Sequence, residues 1–211
     1  MRTIRSAVRH VRHLRTVLGA TAMRRIIIGV TGTPGSGKSR FAAALALRLR
    51  SFALIELNEL VERHHCYSGA DRWGTKIVEA DALSRALGSE LRGIGNCILV
   101  GHLLPELRLR PHMVVVTRVS LTRLAARLKA RGYPLEKIRD NIICEATDYC
   151  GAKCAARQSN VYEVESGAEK RRLIAFIEAS AKGGCPDAAF PPIDKFRELL
   201  SIATARNAYR I

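Results

Sequence analysis

The sequence predicts an α/β fold, with five strands in one parallel sheet and helices packed on both faces. Three observations predict it. Short β-branched runs alternate with helix-forming segments along the chain. The connections between runs read as crossovers, as parallel neighbours require. The first run also leads directly into Gly32-Thr33-Pro34-Gly35-Ser36-Gly37-Lys38-Ser39, a glycine loop of the form G-x-x-x-x-G-K-[ST] that opens a helix.

Each element follows from its residues. Arg25 to Thr31 is a β-branched run, read as the first strand, and Phe41 to Arg50 is rich in Ala, Leu and Arg, all strong helix formers. Ser51 to Leu57 is a second strand running into a helix start at Asn58 to Arg63, followed by an irregular polar stretch from His64 to Lys76. His64 and His65 read as solvated loop residues. Asp81 to Leu91 is a helix closed by Gly93 and Gly95. Cys97 to Val100 and His112 to Thr117 are buried strands, and Leu121 to Ala130 is a helix broken by Arg131-Gly132-Tyr133-Pro134. One long polar helix is expected from about Leu135 into the 150s, then a fifth strand at Val161 to Val164 and a helix at Lys170 to Ala181. The tail from Pro186 carries Pro191-Pro192 and a short basic helix at about Phe196 to Ala203.

The glycine loop carries the chemistry. Its glycines let the chain curl until backbone N–H groups point at phosphates, Lys38 supplies a mobile cation, and the Ser39 hydroxyl is a Mg²⁺ ligand. A strand, this loop and a helix in that order place phosphates on a helix N-terminus, where the dipole and unpaired N–H groups favour anions. The expected fold is therefore that of a P-loop NTPase, with its ligand at the carboxyl ends of the strands.

Composition bounds the partners. The 211 residues suffice for one α/β domain, expected at residues 23–185, and contain no apolar run of membrane-spanning length. Lys and Arg number 35 against 19 Asp and Glu, a net charge of +16. Such an excess suits a polyanion such as RNA, or equally an Arg-rich solvated surface. Residues 1–22 hold Arg2, Arg5, Arg9, Arg12 and Arg15, and no acidic residue precedes Glu56. This extension reads as a basic amphipathic helix serving as a nucleic-acid arm, a membrane-surface anchor or a targeting peptide, or, the favoured reading, as sequence upstream of a true start at Met23, and residues 186–211 read as a basic tail. Six scattered cysteines suit reduced thiols in a cytoplasmic protein. Cys150 and Cys154, one helical turn apart, read as buried small residues rather than half of a zinc site.

Five blocks together resemble one small group: Leu57-Asn58-Glu59-Leu60, Tyr67-Ser68-Gly69-Ala70-Asp71, Gly101-His102-Leu103, Ala130-Arg131-Gly132-Tyr133 and Asp140-Asn141-Ile142-Ile143-Cys144-Glu145. The group is the atypical adenylate kinase family of archaea and eukaryotic nuclei, whose members also act in small ribosomal subunit maturation. The resemblance runs from about Met23 to Leu200 and implies a nucleoside monophosphate (NMP) lobe and a short lid. It implies ATP with Mg²⁺ at Gly35, Ser36, Gly37, Lys38, Ser39 and Arg40, with Ser39 on the metal. It implies an acceptor lobe including Asn58, Tyr67, Asp71 and Glu79, and a lid including Ala130, Arg131, Gly132, Tyr133 and Asp140. Arg131 would contact ATP, and His102 would lie beside the phosphates as a third catalytic candidate after Lys38 and Arg131. Arg127 and Arg139 flank the lid as further candidates.

The implied activity is transfer of the γ-phosphoryl of ATP to AMP or another NMP, with ATPase activity. The implied partners are a platform protein of the small ribosomal subunit and rRNA. The alternative is an ATPase switch in ribosome assembly with little transfer. One departure bears on this choice. The family's third strand ends in a carboxylate directly before Gly-His, whereas Val100 stands here, leaving Mg²⁺ to Ser39, the phosphates and Asp81 or Glu79. The segment Ala70 to Lys76 also departs, which leaves the acceptor base open.

Overall fold

The structure, a computed structural model, describes residues 25–158 and 160–181. The basic extension at 1–22 and the tail at 186–211, with its expected helix, lie outside the described residues.

Strands β1 (Ile27–Thr31), β2 (Ala53–Glu56), β5 (Cys97–Val100), β6 (Met113–Thr117) and β7 (Val161–Val164) form one sheet in the order β2-β5-β1-β6-β7. Every pairing in it is parallel, as expected from the sequence. β1, β5 and β6 are buried at every position, which is why they read as unbroken apolar runs rather than alternating ones.

Two cores cover the two faces. On one, α1 (Lys38–Arg48) and α7 (Gly167–Ala181) pack Phe41, Leu45, Leu173 and Phe176 against Ile28, Val30, Ile98, Val100 and Val115. On the other, α2 (Leu57–Arg63), α3 (Ala80–Glu90) and α6 (Tyr149–Ala155) pack Leu57, Leu60, Leu83, Leu87 and Cys150 against Ile27, Leu99, Val114 and Val116. The alternation of Ile27 with Ile28 and of Leu99 with Val100 between these cores is the two-residue period of a strand.

Two elements differ from the sequence expectation. The stretch from His64 to Lys76 is not irregular: Tyr67–Ala70 (β3) and Lys76–Val78 (β4) form an antiparallel hairpin. Asp71 organises its turn, its Oδ1 accepting bonds from the backbone N–H of Trp73 (2.9 Å) and Thr75 (2.8 Å), while Gly74 supplies the positive φ of 74°. The long helix expected from Leu135 is two helices. α5 (Leu135–Ala146) ends and α6 begins after Asp148, whose φ of 52° is left-handed and whose carboxylate caps the next helix by accepting from Gly151 N–H. A further helix, α4 (Leu121–Ala130), precedes α5 and shares with it a small core of Leu124, Leu128 and Ile138. No helix among the described residues is long and apolar enough to cross a membrane.

Candidate active site

The loop after β1 curls as its glycines require. Gly35 and Gly37 have φ of 93° and 96°, so a side chain at either would be strained, and a Cβ at Gly35 would also press on Leu124. The turn is closed by Ser36 N–H donating to the Thr33 carbonyl at 3.0 Å. The Ser36 hydroxyl is engaged with Thr117 Oγ1 at 2.7 Å, at the end of β6. Ser36 thus has both polar groups occupied within the protein and shapes the loop. Gly37 is the N-cap of α1 and offers no side-chain cap, and no acidic residue lies in the first turn. The first N–H groups of this helix are therefore unclaimed by any capping side chain, and a negative ligand would be stabilised there.

Two helices also reach the loop. From α4, Arg127 donates to the Gly35 carbonyl at 2.7 Å and holds the loop backbone. From α5, Glu145 accepts from the Thr33 hydroxyl at 2.6 Å, while its other oxygen takes Arg118 Nε at 2.9 Å and Val119 N–H at 3.1 Å. Arg118 is 1% exposed and also binds Asp148 at 2.5 Å, Glu163 at 3.0 Å and the Glu145 carbonyl at 2.7 Å. One buried guanidinium thus ties β6, β7, α5 and the phosphate loop together.

Lys38 and Arg131 approach closely enough to repel. Burial chiefly lowers the Lys38 pKa and the Arg131 charge lowers it further, with Cys150 and Glu56 acting the other way. Glu56 ends β2, and its carboxylate feels the Lys38 charge and the Ser39 hydroxyl, both of which favour its ionised form. Burial first, and then the like charge of Glu59, raise the Glu56 pKa above its ordinary value. His102, just past β5, lies on the same rim. Burial, then the charges of Lys38 and Lys137, bring its pKa down to about 4. Lys38, Ser39, Glu56, His102 and Arg131 are therefore brought together at the carboxyl edge of the sheet.

The neutral His102 has a measurable consequence. Unfolded, its imidazole titrates near 6.5; folded, it takes the proton only near about 4. Between these values the unfolded chain binds the extra proton, so stability is complete above about pH 6.5 and falls as the pH drops toward 4. The loss attributable to His102 is up to about 3 kcal/mol. Urea unfolding at pH 7 and 4.5 should show that His102→Gln reduces this pH dependence by a comparable amount.

The remaining expected residues are dispersed. Arg40 is exposed on the first turn of α1, and Asn58 is exposed on the first turn of α2. Tyr67 lies in the hairpin beneath the Lys76 ammonium, 4.1 Å from its ring centre, and Asp71 is occupied by its own turn. Glu79 is the exposed N-cap of α3. Ala130, Gly132 and Asp140 are exposed around the lid, and Tyr133 stacks under Lys137 at 4.6 Å. Arg139 is exposed on α5. Asp81, expected as an alternative metal carboxylate, is instead bound by Arg108 through two hydrogen bonds of 3.0 and 3.1 Å. Cys150 and Cys154 are buried in the core, where burial pushes their thiols up to about 12 and about 11.

The sequence reading missed Glu56, Thr117, Arg118, Lys137 and Glu145 as parts of the site. Glu56 had a signal: it is the last residue of a strand that enters a helix on the ligand side. Arg118 had none, because its carboxylate partners lie 27 to 45 residues away.

The comparisons with known proteins agree with this geometry. A family model described as an AAA domain matches residues 28–148. A protein of Methanosarcina barkeri named "Putative adenylate kinase" is 33% identical over 144 residues, covering 67% of this chain and 77% of that one. One of the same name from Archaeoglobus fulgidus is 30% identical over 159 residues, covering 75% and 83%. Among solved structures, shikimate kinase from Bacteroides thetaiotaomicron superposes with a TM-score of 0.51 at 17% identity, covering 75% of this chain and 99% of that one, which shows the shared P-loop fold. With its phosphate loop, its sheet order and relatives aligned over three quarters of their length, the chain belongs to the atypical adenylate kinase family.

Proposed function

We propose that the chain is an NMP kinase that transfers the γ-phosphoryl group of ATP to AMP or another NMP. The observation that carries this reading is the convergence of Lys38 from the phosphate loop and Arg131 from the lid. Two cations held close enough to repel are suited to an anion placed between them. In the reaction, an oxygen of the acceptor phosphate attacks the γ-phosphorus, the bond to the β,γ-bridging oxygen breaks, and ADP leaves. Lys38 and Arg131 neutralise the oxygens of the moving group, the α1 N-terminus holds the β-phosphate, and the lid excludes water. His102 stays neutral and serves as a hydrogen-bonding partner rather than a third positive charge.

The residues present suit Mg²⁺. A hydroxyl beside a carboxylate is a hard oxygen donor set, and the described residues hold no group of three or more His, Cys, Asp or Glu positioned to bind a metal alone. Ser39 would hold the ion jointly with the phosphates. Held there, the ion would offset the charge on the phosphate oxygens.

A second reading is favoured by Val100, which puts no oxygen at the end of β5. On it, ATP hydrolysis drives a switch in ribosome assembly, and the net charge of +16 serves contact with rRNA and a platform protein. One assay separates the two: ADP and acceptor diphosphate are counted separately with ATP, Mg²⁺ and each of AMP, CMP, GMP and UMP. Acceptor diphosphate well above hydrolysis without acceptor is the expected result. Hydrolysis indifferent to every acceptor would establish the switch.

A further inference from the structure

We infer that Glu56 is the carboxylate that completes the divalent-cation site with Ser39, in place of one at the end of β5. The inference rests on the reading of the loop as an ATP–Mg²⁺ site. It begins with register. Glu56 pairs with Val100 across the parallel β2–β5 ladder, at the edge where both strands end. Residues paired in this way point to the same face of a sheet. Val100 packs in the core beneath α1, so Glu56 projects on the α1 side as well, and α1 carries Ser39 in its first turn.

The Glu56 side chain has an alternative that it does not take. It stands at the N-cap of α2, yet it makes no cap bond to its own helix. Its carboxylate instead feels the Ser39 hydroxyl and the Lys38 ammonium, both of which favour its ionised form. The like charge of Glu59 acts on it more strongly than the Lys38 ammonium does. A cation arriving with phosphate would relieve that imbalance.

Two other candidate carboxylates are committed elsewhere. Asp81 is held by Arg108, and Glu145 by Thr33 and Arg118. Val100 is fully buried and has no donor atom. The oxygen absent from β5 is thus supplied one strand over, at the same level of the sheet.

The test measures binding rather than turnover. ATP affinity is determined by calorimetry on the full chain, first in EDTA and then with Mg²⁺, and Mn²⁺ affinity of the ADP complex is measured by electron paramagnetic resonance. Wild type, Glu56→Gln and Glu56→Asp are compared. Glu56→Gln should bind ATP in EDTA as wild type does, yet lose about tenfold or more in Mn²⁺ affinity and in the Mg²⁺ enhancement. Glu56→Asp should keep most of both. A Glu56→Gln chain with wild-type Mn²⁺ affinity would overturn the inference, as would one that loses ATP binding in EDTA, since Glu56 would then be acting on the loop itself. Failure of the wild-type chain to bind ATP would instead overturn the reading of the loop.

Discussion

Lys38→Ala is expected to lower phosphoryl transfer by about 10³-fold, the scale seen when a preorganised charge on a developing oxyanion is removed. It is also expected to leave the unfolding temperature unchanged or raised. The second half distinguishes this residue from a structural one. Lys38 is half-buried, repelled by Arg131, and countered by Glu56. Its charge therefore costs stability until phosphate arrives, and alanine removes that cost. The checks are an ADP-forming assay with saturating ATP and acceptor, and a thermal melt without ligand. A melt lowered by several degrees would mean that Lys38 supports the fold, and retained transfer would remove it from the site.

Arg118→Met should have the largest effect on stability. It leaves Glu145, Asp148 and Glu163 facing one another without that cation, and the first of these is 2% exposed. Breaking a buried ion pair from one side costs about 3–5 kcal/mol. In a domain of this size that lowers the unfolding temperature by on the order of 10 °C. Arg118→Lys should recover only part of the loss, because an ammonium cannot reproduce the fork that reaches three side chains and the Glu145 carbonyl at once. A melt within about 2 °C of wild type for Arg118→Met would show that the carboxylates rearrange without it.

The contrast between these two cations shows what could be read from sequence. Lys38 was legible because its partners are its own neighbours: the loop that curls around phosphate is eight consecutive residues. The five sheet strands were legible for a similar reason, since a strand buried on both faces must be apolar throughout. The hairpin at Tyr67–Val78 was not, because its hydrophobic signal is weak. It is a small two-stranded ribbon with Ser68, Gly69 and Ala70 exposed, set by a single Asp71 turn. The break at Asp148 was hidden by helix-favouring residues on both sides, and only the distant Arg118 reveals why an aspartate there adopts a left-handed conformation. Glu56 falls between these cases. Its strand was readable, but its place opposite Val100 depends on the order of strands in the sheet, which periodicity does not encode.

The double attachment of Glu145 has a mechanical consequence. This residue lies in the last turn of α5 and is fastened to the phosphate loop through Thr33 and to β6 through Arg118. Helix α5 is therefore a lever with its fulcrum at the C-terminal end. Ten residues separate Glu145 from Leu135 at the other end, a lever arm of about 15 Å. A rotation of only about 20° would carry the Leu135 end, and the Arg131 turn joined to it, through roughly 5 Å. On the proposed function, the Arg131 guanidinium would ride on the long end of the lever while the glycine loop stays at the pivot.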